Sequence, residues 1–154
     1  MLKDQKDLLH ALNAHKVEYL VVGGHAAIAY GSARFTGDID VWIRRSKENS
    51  IAVFEALAEF GAPLGGLRPE DFNSKPTDYF QFGVVPDRID VLQGIEGVEF
   101  DEAWSRRVEM SLEEGLTAPY LSIEDLLHNK KAVGRPKDLA DIYDLQRMQR
   151  LKKK

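Results

Sequence analysis

The tripeptide Ile-Asp-Val occurs twice, at residues 39–41 and again at 89–91, each time inside a short apolar run. A run of four to six apolar and β-branched residues is too short for a helix and reads as a buried strand, with successive side chains pointing to opposite faces. In the first run (Asp38 to Ile43) this phase puts Ile39, Val41 and Ile43 on one face, and Asp38, Asp40 and Trp42 on the other. Strand interiors disfavour aspartate, and two carboxylates on one face repel each other and are costly to desolvate. A divalent cation between them offsets that cost. If the second run (Arg88 to Leu92) lies beside the first, Asp90 faces the same cation. The alternative is a set of strand-edge carboxylates turned to solvent.

Cysteine is absent, which excludes disulfides, zinc–thiolate sites and thiol catalysis, and His10, His15, His25 and His128 lack metal-ligand spacing. An all-oxygen donor set selects magnesium or manganese over zinc.

Helical spacing predicts helices from Asp4 to about His15, from Glu48 to Phe60, from the N-cap Ser122 to Gly134, and onward from Pro136. Val17 to Val22 reads as a buried strand stopped by Gly23-Gly24, and His25 to Gly31 as a short helix. Residues 61–76 and 93–97 read as loops, Asp78 to Val85 as a strand, Pro86-Asp87 as a turn, and Arg107 to Met110 as strand-like. The expected architecture is α/β (α+β): one domain over residues 1–154, a mixed β-sheet flanked by helices. Its core spans about residues 1–110, with a short C-terminal helical part at about 120–154. Glycines at 23 and 24, between a strand and a helix start, let the backbone approach an anion such as a phosphate; an ordinary tight turn is the plainer reading.

The net charge of −4 is uneven: residues 128–154 carry nine basic and three acidic side chains, leaving −10 on the first 127. A basic end on an acidic body suits a polyanionic partner, although Lys152, Lys153 and Lys154 also fit a solvated end. The N-terminal segment is too polar for a signal peptide and no apolar run approaches a bilayer span, so a cytoplasmic protein without membrane contact is expected. Lys130 falls on the apolar face of the Ser122 helix, among Ile123, Leu126, Leu127 and Val133, where it must snorkel or meet an anion. Arg135 and Lys137 flank Pro136 ahead of Asp138 and Asp141, and an Arg–Asp pair locking the last helix stands level with a phosphate role. His25 reads as a satisfied polar residue at a helix start.

The order of apolar strand, Gly-Gly, thirteen residues, Asp-Ile-Asp-Val and a later apolar-flanked Asp90 resembles the nucleotidyltransferase superfamily of polymerase-β-like fold. The segments RFTGDIDV and LLHNKKAVGRPKDLADIYDL are similar to those of small bacterial members, including toxin–antitoxin and abortive-infection types. Many members carry Gly-Ser at the turn where this chain has Gly24. The resemblance implies transfer of NMP from an NTP to a hydroxyl, with pyrophosphate released. Asp38 and Asp40 would bind both of two Mg2+ or Mn2+ ions; Asp90 would bind the catalytic one and help deprotonate the acceptor. Gly23, Gly24 and Lys130 would hold the triphosphate, and Arg34 a nucleotide or acceptor phosphate. It leaves the acceptor open among tRNA ends, a protein hydroxyl and a small molecule. A catalytically silent nucleotide- or RNA-binding relative, and an antitoxin-like interaction protein with a cognate partner, are the competing classes.

Overall fold

The computed structural model describes residues 1–83 and 87–152. Val84, Val85 and Pro86, where a strand end and a turn are expected, lie outside the described residues, as do Lys153 and Lys154.

The chain runs α1 (Lys3–Ala14), β1 (Tyr19–Val22), α2 (Gly23–Ala29), β2 (Ile39–Ile43), α3 (Lys47–Phe60), a 3₁₀ turn (Pro69–Phe72), β3 (Tyr79–Phe82), β4 (Ile89–Leu92), α4 (Phe100–Ser105), β5 (Val108–Glu113), β6 (Leu116–Tyr120), α5 (Ile123–Val133) and α6 (Pro136–Lys152). The strands form one mixed sheet in the order β3-β4-β2-β1-β6-β5. β1 is antiparallel to β2 and parallel to β6, β2 is parallel to β4, and β3 and β5 close the two edges as antiparallel partners of β4 and β6.

Every residue of β1 is buried, so both faces of the sheet centre are covered. α1 packs on α3; α2 packs on β1, β2 and α5; and α5 pairs with α6. Leu8, Leu9 and Leu12 of α1, Ile39, Val41 and Ile43 of β2, and Val53 and Leu57 of α3 are all essentially inaccessible. The ends follow local chemistry. Ser46 caps α3 by accepting the Asn49 amide and Gly61 closes it at φ +97°. Ser122 accepts the Asp125 amide at the start of α5 and Gly134 closes it at φ +71°.

Three stretches depart from the sequence reading, the first being the 3₁₀ turn Pro69–Phe72 inside the expected loop 61–76. α2 begins at Gly23, not after Gly24, so the glycines form its first turn rather than a loop before it. The segment after residue 97 holds α4 and a full β5–β6 hairpin, of which only β5 falls where strand-like pieces are expected, near Arg107 to Met110. Among the described residues no helix is long and apolar enough to cross a membrane.

Candidate functional site

β2 and β4 run parallel with Asp40 directly opposite Asp90. In-register pairing puts both carboxylates on one face of the sheet. Asp90 is 7% exposed and Asp40 is partly buried behind it. Burial first, then the hydrogen bond with Asp90 and the charges of Asp90 and Asp38, push the Asp40 carboxyl up to about 7.

Asp38 lies one residue before β2. Its approach is fixed from α1, where the buried Gln5 donates its amide to the Gly37 carbonyl. Asp38 Oδ1 accepts the Arg88 backbone N–H at 3.0 Å. The Arg88 guanidinium reaches both flanking aspartates: Nε is 2.9 Å from Asp90 Oδ1, and Nη2 is 3.3 Å from Asp90 Oδ2 and 3.5 Å from Asp38 Oδ2.

Gly23 sits against this cluster. Its φ is +66°, and a Cβ there would overlap Asp40 Oδ2. From sequence, the glycine lets the backbone approach a phosphate; in the structure it lets the backbone approach the Asp40 carboxyl. At Gly24 a Cβ would lie 2.7 Å from Arg34 Nη2 and 2.8 Å from Thr36 Cγ2. The space a serine would need at that position is filled by Arg34 and Thr36.

The aspartates open onto a cavity of about 330 Å3, within the size range of small-molecule sites. Its wall combines Asp38, Asp40 and Asp90 with Gly23, Gly24, Thr36, Tyr79, Gln81 and five cationic side chains: Arg34, Arg88, Lys130, Arg135 and Lys137. All seven residues proposed from sequence thus line one space. A larger cavity of about 810 Å3 lies elsewhere, lined by α1, the end of α3 and the β3–β4 region, and its charged lining is acidic apart from His10. It shares no residue with the aspartate site.

Three of the five cations are engaged by carboxylates of α6. Lys130 is 3% exposed, with Nζ 2.8 Å from Asp141 Oδ2 and 3.6 Å from Asp138 Oδ1. Arg34 Nε bonds both Asp141 oxygens at 2.9 Å. Arg135 Nε bonds Asp138 Oδ2 at 2.8 Å, the helix-locking pair weighed from sequence, and holds the Asp138 carboxyl below its ordinary range against the opposing effect of burial. Lys130 does meet an anion, but the anion is internal. Its charge, and that of Arg34, reaches the cavity already balanced in part by Asp141. Lys137 is exposed and makes no ion pair among the described residues.

His25 differs from its expected role. Its Nε2 is buried without a hydrogen-bond partner, and burial lowers its pKa. Arg88, Tyr79, Gln81 and the joining role of Asp141 emerge only in the structure. Arg88 was detectable, because residues two apart on a strand share a face. Gln81 pairs with Asp90 across β3 and β4, a register that sequence alone does not fix.

Three aspartates supply only hard oxygen donors, which fits a divalent cation of the magnesium type. As they stand they do not converge: among the described residues no group of three or more His, Cys, Asp or Glu is placed to hold a metal ion. Arg88 reaches into the cluster and bonds Asp38 and Asp90 instead.

The six-stranded mixed sheet and its flanking helices match the nucleotidyltransferase fold that the sequence resemblance implies. The chain belongs to the family described as nucleotidyltransferase of unknown function (DUF6036), whose profile matches residues 2–152. No curated protein matches it. Among solved structures it is similar to a candidate nucleotidyltransferase from Thermotoga maritima, with a TM-score of 0.59 and 16% identity over 90% of this chain and 91% of that one. At that identity the likeness shows the fold.

Proposed function

We propose that this chain transfers a nucleoside monophosphate from an NTP to a hydroxyl acceptor. The observation that carries the reading is the in-register pair Asp40–Asp90, with Asp38 beside it, facing a cavity walled by cationic side chains. Asp38, Asp40 and Asp90 would hold Mg2+ or Mn2+, which when bound neutralises charge on the reacting phosphate and leaving group. Gly23 keeps the backbone clear of Asp40, so that this carboxylate can lie in the cavity wall. Lys137, exposed and without an internal partner among the described residues, is the cation best placed to take a phosphate oxygen. Arg34 and Lys130, held by Asp141, shape the same wall and add residual positive potential.

In the reaction the acceptor oxygen forms a bond to the α-phosphorus and the bond from that phosphorus to the β-phosphate oxygen breaks. Pyrophosphate leaves, and the acceptor's proton passes to Asp90 and on to solvent. A toxin-like role in a bacterial toxin–antitoxin system, in the cytoplasm, is part of the proposal. It rests on the RFTGDIDV segment, which supplies Arg34, Thr36 and the aspartate pair, and on the α5–α6 segment, which supplies Lys130 and Lys137.

One observation favours a second reading, a nucleotide-binding protein without catalysis: Arg88 occupies two of the three carboxylates. Incubation of the full chain with each α-labelled NTP, Mg2+ or Mn2+, and cell extract separates the two. Label on RNA, protein or a small molecule, lost in Asp40→Asn, supports transfer and names the acceptor class. Nucleotide binding with no labelled product in any fraction overturns it.

A further inference from the structure

We propose that Arg88 is a built-in competitor for the divalent cation, its guanidinium fork closing the carboxylate site until it is released. The inference rests on the metal-dependent reading above and adds to it a residue that sets the site's affinity.

Arg88 immediately precedes β4 and lies two residues before Asp90, so strand phase aims it at the same face. Its fork takes both Asp90 oxygens, at 2.9 and 3.3 Å, and one arm extends to Asp38 at 3.5 Å. These are the oxygens a magnesium-type ion would need. A guanidinium and a dication within contact of the same carboxylates repel each other strongly, so the two occupancies are mutually exclusive in energetic terms. An internal competitor lowers the apparent affinity of the ion by the fraction of molecules in which the fork is open. The arm has somewhere to go. Its backbone stays fixed by the Asp38 contact, its side chain is 29% exposed, and it lines the same cavity as Lys137. There a phosphate offers the fork the bidentate oxygens it gives up on Asp90.

The experiment titrates the full chain with Mn2+ alone and reads the free ion by electron paramagnetic resonance. Arg88→Gln is expected to bind Mn2+ about tenfold more tightly than the unchanged chain. Arg88→Lys keeps the charge but not the fork, and is expected to gain at least about threefold, which also covers a failure of Arg88→Gln to fold. Lys137→Gln removes one charge from the same cavity without touching a carboxylate and is expected to stay within about threefold, as a screened charge should. Equal affinity in the unchanged chain and both Arg88 variants overturns the inference while leaving the metal site standing. So does a Lys137→Gln gain as large as that of Arg88→Gln. Absence of Mn2+ binding in every protein overturns the metal-dependent reading itself, and the inference with it.

Discussion

Lys130 Nζ lies 2.8 Å from Asp141 Oδ2, and both side chains are almost wholly buried where α5 meets α6. Asp141 also accepts Ser32 Oγ at 2.9 Å and both contacts from Arg34 Nε, so one carboxylate ties α6 to α5 and to the segment that leads into β2. Removing Asp141 takes the acceptor from Ser32 and Arg34 and leaves the buried Lys130 only Asp138, at 3.6 Å, and breaking a buried ion pair typically costs ~3–5 kcal/mol. Asp141→Ala is therefore expected to lower unfolding stability by about that amount in urea denaturation. Lys130→Met with Asp141→Leu is expected to recover the part of the loss that belongs to Lys130, while Ser32 and Arg34 stay without their acceptor. Additive losses in the double variant would show that the pair is not coupled.

In protein without bound metal, Asp40 is expected to contribute a component of stability that falls as pH rises. Asp40 has a folded pKa of about 7 against an ordinary 3.8. The native state therefore keeps a proton that the unfolded chain gives up, and between those values stability falls with pH. The contribution is complete below about 3.8 and gone above about 7. Thermal melts in chelator at pH 5 and pH 8 measure it. Asp40→Asn, which cannot ionise, is expected to flatten this component and to abolish nucleotidyl transfer. Because burial lowers the His25 pKa and so contributes with the opposite sign, Asp40 is read from the difference between the unchanged chain and Asp40→Asn, and a difference that stays constant from pH 5 to pH 8 would contradict the assignment.

Two glycines with positive φ separate steric from conformational demand. Gly61 has open space around its Cβ position, so Gly61→Ala is expected to cost only the strain of a left-handed residue, ~1 kcal/mol. Gly23→Ala carries the same strain and drives a methyl into Asp40 Oδ2. Its loss of stability is expected to exceed that of Gly61→Ala by at least ~1 kcal/mol in parallel denaturant titrations, with transfer lost as well. Equal losses would mean that Asp40 moves aside without cost.

Lys137→Ala is expected to raise the KM for NTP while leaving stability within about 0.5 kcal/mol, since the side chain is exposed and forms no ion pair among the described residues. An unchanged KM would remove Lys137 from the phosphate site.

The parts of the fold legible in the sequence are those where one local signal decides the outcome. Leu8, Leu9 and Leu12 mark the buried face of α1, Ser122 and Gly134 bracket α5, and the two Ile-Asp-Val runs become the paired strands β2 and β4. The β5–β6 hairpin was only half visible. β5 is an edge strand whose residues are mostly exposed, so it lacks an apolar alternation, and Pro119 inside β6 argues against a strand although it is buried opposite Glu109. α4 has only six residues and too short a period to detect. The aspartates of the site were legible because strand phase is a local property. Their partners were not: Asp141 joins Ser32, Arg34 and Lys130 from residues 11 to 109 positions away, and pairing at such separations follows from packing, not from spacing along the chain.

The dependence of the cavity wall on α6 bears on the order of synthesis. A nascent chain that has emerged only as far as Gly134 already contains the three aspartates, both glycines, Arg34 and Lys130, yet lacks Lys137 and the Asp138 and Asp141 carboxylates that hold Arg34 and Lys130 in place. Translation therefore delivers part of the cavity wall after its floor, and a truncated product ending there would carry all three acidic residues without Lys137 and without the α6 carboxylates that hold Arg34 and Lys130 beside them.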